Sequence, residues 1–257
     1  MHFVKLAGPD HASSPAAVDI WPREEYEYRV SACTNGCAWS SVARFRSLYS
    51  EGETRLAMFG DLGAYAWSNM GNLKNDAESR LIDAIVHLGD HAYNMGGDDE
   101  RHGDAYLDHL QPILRQVPWV PVLGNHEYFD GDMFNRFLNQ SAMGTGTNGT
   151  DERALTGLGS LLSRATGQYG ASAHGGAEPS HTSRWFSVDI WLIHLVALDG
   201  NVYDWGIYHT ETVYRQAQLS WLRKDLAAAA ENRDKVPWIL MLSHYPIYCS
   251  SVSIGGY

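Results

Sequence analysis

Trp119-Val120-Pro121-Val122-Leu123-Gly124-Asn125-His126-Glu127 sets a short apolar run against three consecutive polar side chains, with a glycine at the joint. The first part reads as a buried strand. The second reads as a ligand or catalytic group, because a turn has no need for an amide, an imidazole and a carboxylate in succession. The same grammar recurs along the chain. Arg55 to Phe59 is a short apolar strand ending at Gly60-Asp61, Ile85 to Leu88 ends at Gly89-Asp90, and Pro237 to Leu242 ends at Ser243-His244. Glycine before the polar residue lets the backbone turn sharply where the strand stops. A lone Gly-Asp is more often a turn or a helix cap, and a lone strand-end His is more often structural. All of them in order point instead to one site outside the carboxyl ends of strands in an open α/β sheet. Carboxylate, amide and imidazole without thiolate suit first-row metals such as iron, zinc or manganese, not a structural zinc site.

The rest of the pattern is built around these strands. Asn75 to Asp83 is expected as a helix with Asn75 as its N-cap. Asp99 to Gln116 is a second helix that Pro112 should bend or break. Arg184 to Asp189 and Ile190 to Leu198 are two more strands, and Thr212 to Asn232 is the clearest helix. Strands alternating with helices argue for an α/β domain over residues 51–257. A stretch rich in Gly, Ser, Thr and Ala, about 139–180, reads as a surface insertion whose one helical patch is Arg153 to Arg164. Residues 1–50 differ: Tyr26 to Val30 and Val42 to Leu48 alternate as a β-hairpin with no partner sheet. Such a hairpin is marginal alone, so it reads as the end of a β-domain.

Bulk properties narrow the function classes. The chain has 257 residues, 44% hydrophobic and 19% charged, a globular balance. Its formal net charge of -11 repels nucleic-acid phosphates and also any phosphate-ester substrate, so a phosphatase here needs bound cations to invert the local field. No apolar run reaches the ~20 residues a membrane helix needs; Ile190 to Leu198 is short and contains His194. Met1 to Asp19 does not read as a signal peptide. Cys33 and Cys37 flank a Thr34-Asn35-Gly36 turn that could bring them close enough to bridge, leaving Cys249 without a partner. With sequons at Asn139 and Asn148, these features lean to an oxidising compartment: secreted, lumenal or vacuolar.

The order Gly60-Asp61-Leu62-Gly63, Gly89-Asp90-His91-Ala92-Tyr93, Gly124-Asn125-His126-Glu127 and then His244 resembles the calcineurin-like metallophosphoesterases. Tyr93, three residues after Asp90, narrows the resemblance to the purple acid phosphatases, in which a tyrosinate binds ferric iron. The likeness covers about residues 20 to 257. It takes in the hairpin, similar to the end of the family's fibronectin type III-like domain, and His244-Tyr245-Pro246-Ile247-Tyr248-Cys249, similar to its later metal segment. The implied fold is a β-sandwich flanked by helices. The implied centre is dinuclear: Asp61 and Tyr93 on Fe(III), Asp90 bridging, and Asn125 and His244 on Zn(II), Fe(II) or Mn(II). His126 would sit beside the substrate phosphate as acid or orienting donor. The implied activity is acid hydrolysis of phosphate monoesters by a metal-bridging hydroxide. The alternatives are a phosphodiesterase or nucleotide pyrophosphatase, and a catalytically impaired binding module. The expected partners are small phosphate esters, without nucleic acid or membrane, and the plant relatives make a homodimer an option.

One departure is clear. The family completes its site with Gly-His-x-His, one His to each metal. Here the 12 histidines include no pair separated by a single residue. The expectation is therefore a chain truncated at both ends, with weakened metal affinity and little activity on its own. Among the remaining side chains, His87 and His194 read as satisfied core histidines, His91 as structural and Glu127 as a support for the site. Trp185, Trp191, Trp221 and Trp238 read as core.

Overall fold

The computed structural model describes residues 24–30, 38–47, 52–63, 68–99, 101–128, 184–203 and 212–248, the side chains of 212 and 213 excepted. The expected insertion, the three cysteines and both sequons lie outside these residues. Three parallel strands, β3 (Leu56–Phe59), β4 (Ala84–Leu88) and β5 (Trp119–Val122), form one sheet in the order β3-β4-β5. A second sheet pairs β6 (Phe186–Ile190) antiparallel to β7 (Ile193–Ala197), and β7 parallel to β8 (Trp238–Leu242).

The period-2 alternation of strand side chains dictates the layering. Ala84, Val86, Val120 and Val122 point from the first sheet into one cluster with Phe186, Val188, Ile190, Leu195, Ala197 and Leu242 of the second. Burying each of the larger side chains contributes about 1.5–3 kcal/mol. Ile85, one residue out of phase, faces the other way. It packs on Tyr106, Leu110 and Ile113 of α2 (Arg101–Leu114) and Ala77 of α1 (Met70–Glu78). On the far side of the second sheet, Val196 and Leu198 meet Trp221 of α3 (Thr212–Glu231). The result is a two-sheet sandwich with helices on both outer faces, as the sequence led one to expect.

Local expectations needed correction in four places. Helix α1 begins at Met70, so Asn75 lies inside it and caps nothing; Asn69 precedes it without a side-chain cap. Met70, Leu73 and Ala77 share one face and pack on the second cluster, and that burial outweighs a capping signal. Pro112 does not break α2, which runs two residues beyond it; there its missing N–H removes one i→i−4 bond close to the C-terminal end of the helix. Ile190 closes β6 instead of opening β7, and the turn between them passes through Trp191 at φ 55°. Finally, Trp185 and Trp221 are buried but Trp238 is 67% exposed, because it opens β8, which has one strand neighbour among the described residues.

The hairpin is present as β1 (Glu25–Tyr28) and β2 (Ala43–Arg46), antiparallel, with Tyr26 stacked on Phe45 at 5.5 Å. It is pinned to the end of α2. Tyr28 Oη donates to the Arg115 carbonyl at 3.0 Å and Arg115 Nη2 donates to the Val42 carbonyl at 2.7 Å. Arg80, in the turn after α1, pairs with Glu25.

Candidate metal centre

The loops leaving β3, β4, β5 and β8 converge at one end of the sandwich. Ligand atoms of Asp61, Asp90 and His244 all lie within 4.8 Å of one another. Tyr93 Oη donates to Asp61 Oδ1 at 2.6 Å on one side of this group. On the other, His244 Nε2 is 3.0 Å from Asn125 Oδ1 and 3.5 Å from Asp90 Oδ1. His126 follows, with Nε2 3.8 Å from Asp90 Oδ2. All six side chains singled out in the sequence thus stand together. Asp61 is exposed, Asp90 is 3% exposed and the others are half-buried.

Backbone geometry explains why these sequences are needed. Asp61, Asp90 and Tyr93 sit at φ 55°, 52° and 50°, a left-handed conformation that costs non-glycine residues free energy and gathers at functional sites. The glycines do more than turn the chain. A Cβ on Gly89 (φ +86°) would lie 2.6 Å from Gly124 Cα and 2.8 Å from His244 Nδ1; one on Gly124 would lie 2.2 Å from Asp90 Oδ1. Three loops meet backbone to backbone there, and a side chain would force them apart. Asp61 N–H donates to the Gly89 carbonyl at 3.1 Å, and Gly63 N–H to the His91 carbonyl at 2.9 Å.

Glu127 holds the middle of this junction. Its carboxylate accepts the backbone N–H groups of Asp90 (2.9 Å), His91 (2.9 Å) and Gly124 (2.8 Å), and His91 Nδ1 lies 3.1 Å away. Burial alone would raise its pKa, but His91 and the backbone donors reverse this and bring it down to about 2. It supports the site without facing it, as expected. Burial raises the pKa of Asp90, partly countered by the His126 N–H and by His244. A cation at the site would reverse that penalty.

This donor set fits a pair of first-row cations. The oxygens of Asp61 and Tyr93 adjoin on one flank, the amide oxygen and imidazole nitrogen of Asn125 and His244 adjoin on the other, and the buried Asp90 carboxylate stands within reach of both. A cation would replace the hydrogen bonds that now join each flank.

Three further histidines are buried as expected, but His194 is satisfied on both ring nitrogens whereas His87 Nε2 has no hydrogen-bond partner among the described residues. His91 is fully buried behind the site and points to Glu127. His87 Nδ1 is 2.8 Å from Tyr106 Oη, and burial, with His91 and His244 nearby, drives its pKa well down. His194 is held on both ring nitrogens, by Asp189 at 2.5 Å and Asp225 at 3.0 Å.

Two supports escaped the sequence reading. Asn94 Oδ1 lies 2.7 Å from His126 Nδ1. Asn201, fully buried, donates through Nδ2 to the Gly124 carbonyl at 3.2 Å and to Asp199 Oδ1 at 3.1 Å. Asp199 N–H in turn donates to Gln218 Oε1 of α3 at 2.8 Å. Asp199-Gly200-Asn201 follows β7 as the ligand motifs follow their strands, and that shared grammar was the available signal.

Comparison with known proteins agrees with this geometry. Residues 54–256 match the family described as calcineurin-like phosphoesterase. Acid phosphatase type 7 of Homo sapiens is 30% identical over 237 residues, covering 91% of this chain and 45% of that protein. An Arabidopsis thaliana protein named probable inactive purple acid phosphatase 9 is 27% identical over 255 residues, covering 89% of this chain and 35% of its own length. The solved structure of a purple acid phosphatase from yellow lupin (Lupinus luteus) seeds matches 91% of this chain and 38% of its own, with a TM-score of 0.54 at 20% identity; that likeness concerns the fold. The chain spans less than half the length of these relatives.

Proposed function

This chain belongs to the calcineurin-like phosphoesterase family, and from that premise we propose that it carries the metal-holding part of an acid phosphatase acting on phosphate monoesters. The observation that carries the reading is the meeting of Asp61, Asp90 and His244 ligand atoms within 4.8 Å, flanked by Tyr93 and Asn125. Asp61 and Tyr93 would hold a ferric ion, Asn125 and His244 a zinc, ferrous or manganous ion, and Asp90 both. When bound, such a pair supplies Lewis acidity that activates water and neutralises phosphoryl oxygens.

The chain's own residues have separable tasks. Asp90 and Asp61 offset the cations' charge. Glu127 fixes the backbone of the Asp90 and Asn125 loops so that both ligands keep their place. His126, on the rim, would give a hydrogen bond to a phosphoryl oxygen or a proton to the departing alcohol. The overall charge of -11 works against a dianionic ester everywhere except at the cations, which favours binding there alone.

A second reading is a module with impaired catalysis. It is favoured by relatives that are named as probable inactive enzymes. Turnover of p-nitrophenyl phosphate and bis(p-nitrophenyl) phosphate, each before and after chelation, separates the readings. The monoester is expected to be the better substrate and chelation to abolish both rates. Preference for the diester would move the assignment to a phosphodiesterase, and turnover that survives metal removal would refute the metal centre.

A further inference from the structure

His126 is held from several sides. Its backbone N–H donates to Asp90 Oδ1 at 3.0 Å, its ring lies edge-on to Tyr93 with centroids 4.8 Å apart, and its Nδ1 is 2.7 Å from Asn94 Oδ1. The first two contacts place the ring. The third bears on where its proton sits, because an amide carbonyl can only accept and so requires the hydrogen on Nδ1. A neutral imidazole carries one N–H, and fixing it on Nδ1 leaves Nε2 as the nitrogen that gains and gives a proton. Nε2 is the nitrogen 3.8 Å from Asp90 Oδ2, turned toward the ligand cluster.

Asn94 is suited to this place. Its φ is 74°, and Asn tolerates the left-handed region better than other residues with a side chain. The backbone that presents Tyr93 to Asp61 therefore also delivers the Asn94 carbonyl to His126. Two neighbouring residues of one loop thus both touch His126, Tyr93 through its ring and Asn94 through its carbonyl, while Tyr93 Oη also reaches Asp61.

We infer that Asn94 is a positioning residue, whose side-chain carbonyl locks His126 in the Nδ1–H tautomer and so aims Nε2 at the phosphoryl or leaving oxygen of a bound ester. The functional half of this inference rests on the phosphoesterase reading; the contact itself does not.

Two variants separate the acceptor from the backbone. Asn94→Gly is at ease at φ 74° but has no acceptor, whereas Asn94→Asp keeps an acceptor and tolerates the same backbone. The readout is the imidazole nitrogen–proton correlation spectrum of His126, assigned with His126→Gln and recorded with and without diamagnetic zinc, at alkaline pH where an ordinary imidazole is neutral. The Nδ1–H form is expected in the wild type and in Asn94→Asp, and a mixture or the Nε2–H form in Asn94→Gly. In the metal-loaded protein, Asn94→Gly should lower kcat by about 10–100-fold, the usual loss for an outer partner. KM should stay within about twofold, and Asn94→Asp should restore most of the rate. An Nε2–H tautomer in the wild type, a tautomer unchanged in Asn94→Gly, or wild-type kcat in Asn94→Gly would overturn the inference. Absence of turnover in the wild type would count against the phosphoesterase reading, while the spectrum would still decide the contact.

Discussion

At the scale of single residues, the centre depends on side chains that never face a ligand. Glu127 is 4% exposed; its Oε2 accepts the N–H groups of Asp90 and Gly124, which lie far apart in sequence, and its Oε1 accepts that of His91. Glu127→Gln would turn one acceptor into an NH₂ donor against an N–H it now receives, inside the protein. Loss of a charged acceptor and a buried donor left unpaired together cost about 3 kcal/mol or more. Urea unfolding should show this as a lowered midpoint, and an unchanged midpoint would mean that the loops hold without the carboxylate. The candidate ligands Asp61, Asp90, Asn125 and His244 were legible because each follows an apolar strand in the sequence itself, and Tyr93 through its spacing from Asp90 in the family resemblance. Asn94 and Asn201 were not, because their partners, His126 and Gly124, lie 32 and 77 positions away, and only folding joins them.

Among the elements, α3 and the β6–β7 hairpin are tied by a buried polar cluster. His194 joins Asp189 of β6 to Asp225 of α3, and Ser187 Oγ donates to Asp225 Oδ1 at 2.6 Å. Burial works to lower the His194 pKa, but the hydrogen bonds and charges of Asp189 and Asp225 outweigh it and hold the value up at about 9. A pKa raised on folding stabilises fully below the unfolded value of about 6.5. That contribution is lost as pH rises through about 9, and the shift corresponds to roughly 3 kcal/mol. Unfolding measured from pH 6 to pH 10 should therefore show stability falling over the alkaline part of the range. The fall should be blunted in His194→Gln, and an equal fall in that variant would assign it to other groups. The succession of strands and helices along the chain could be read from apolar patterning, but their boundaries could not. The start of α1 was set by the packing of Met70, Leu73 and Ala77, which no cap residue announces, and the exposure of Trp238 follows from its position on an edge strand.

On the scale of the whole molecule, the sandwich brings four strand ends to one place and supplies a buried carboxylate, Asp90, that can serve two cations at once. The α/β class was legible because short apolar strands alternate with helical stretches along the sequence, whereas the two-sheet sandwich came only as an implication of the family resemblance. The contact between the ligand loops was not, since it depends on the backbone approach of Gly89 to Gly124. The function proposed for this junction is metal-dependent phosphoester hydrolysis. The most direct measurement is the turnover of p-nitrophenyl phosphate by the metal-loaded protein that bears these residues, compared with Asp90→Asn at known metal content. Asp90→Asn is expected to lose bound metal and to fall in rate by more than about 100-fold, beyond the 10–100-fold typical of outer partners. Wild-type turnover in Asp90→Asn would contradict it.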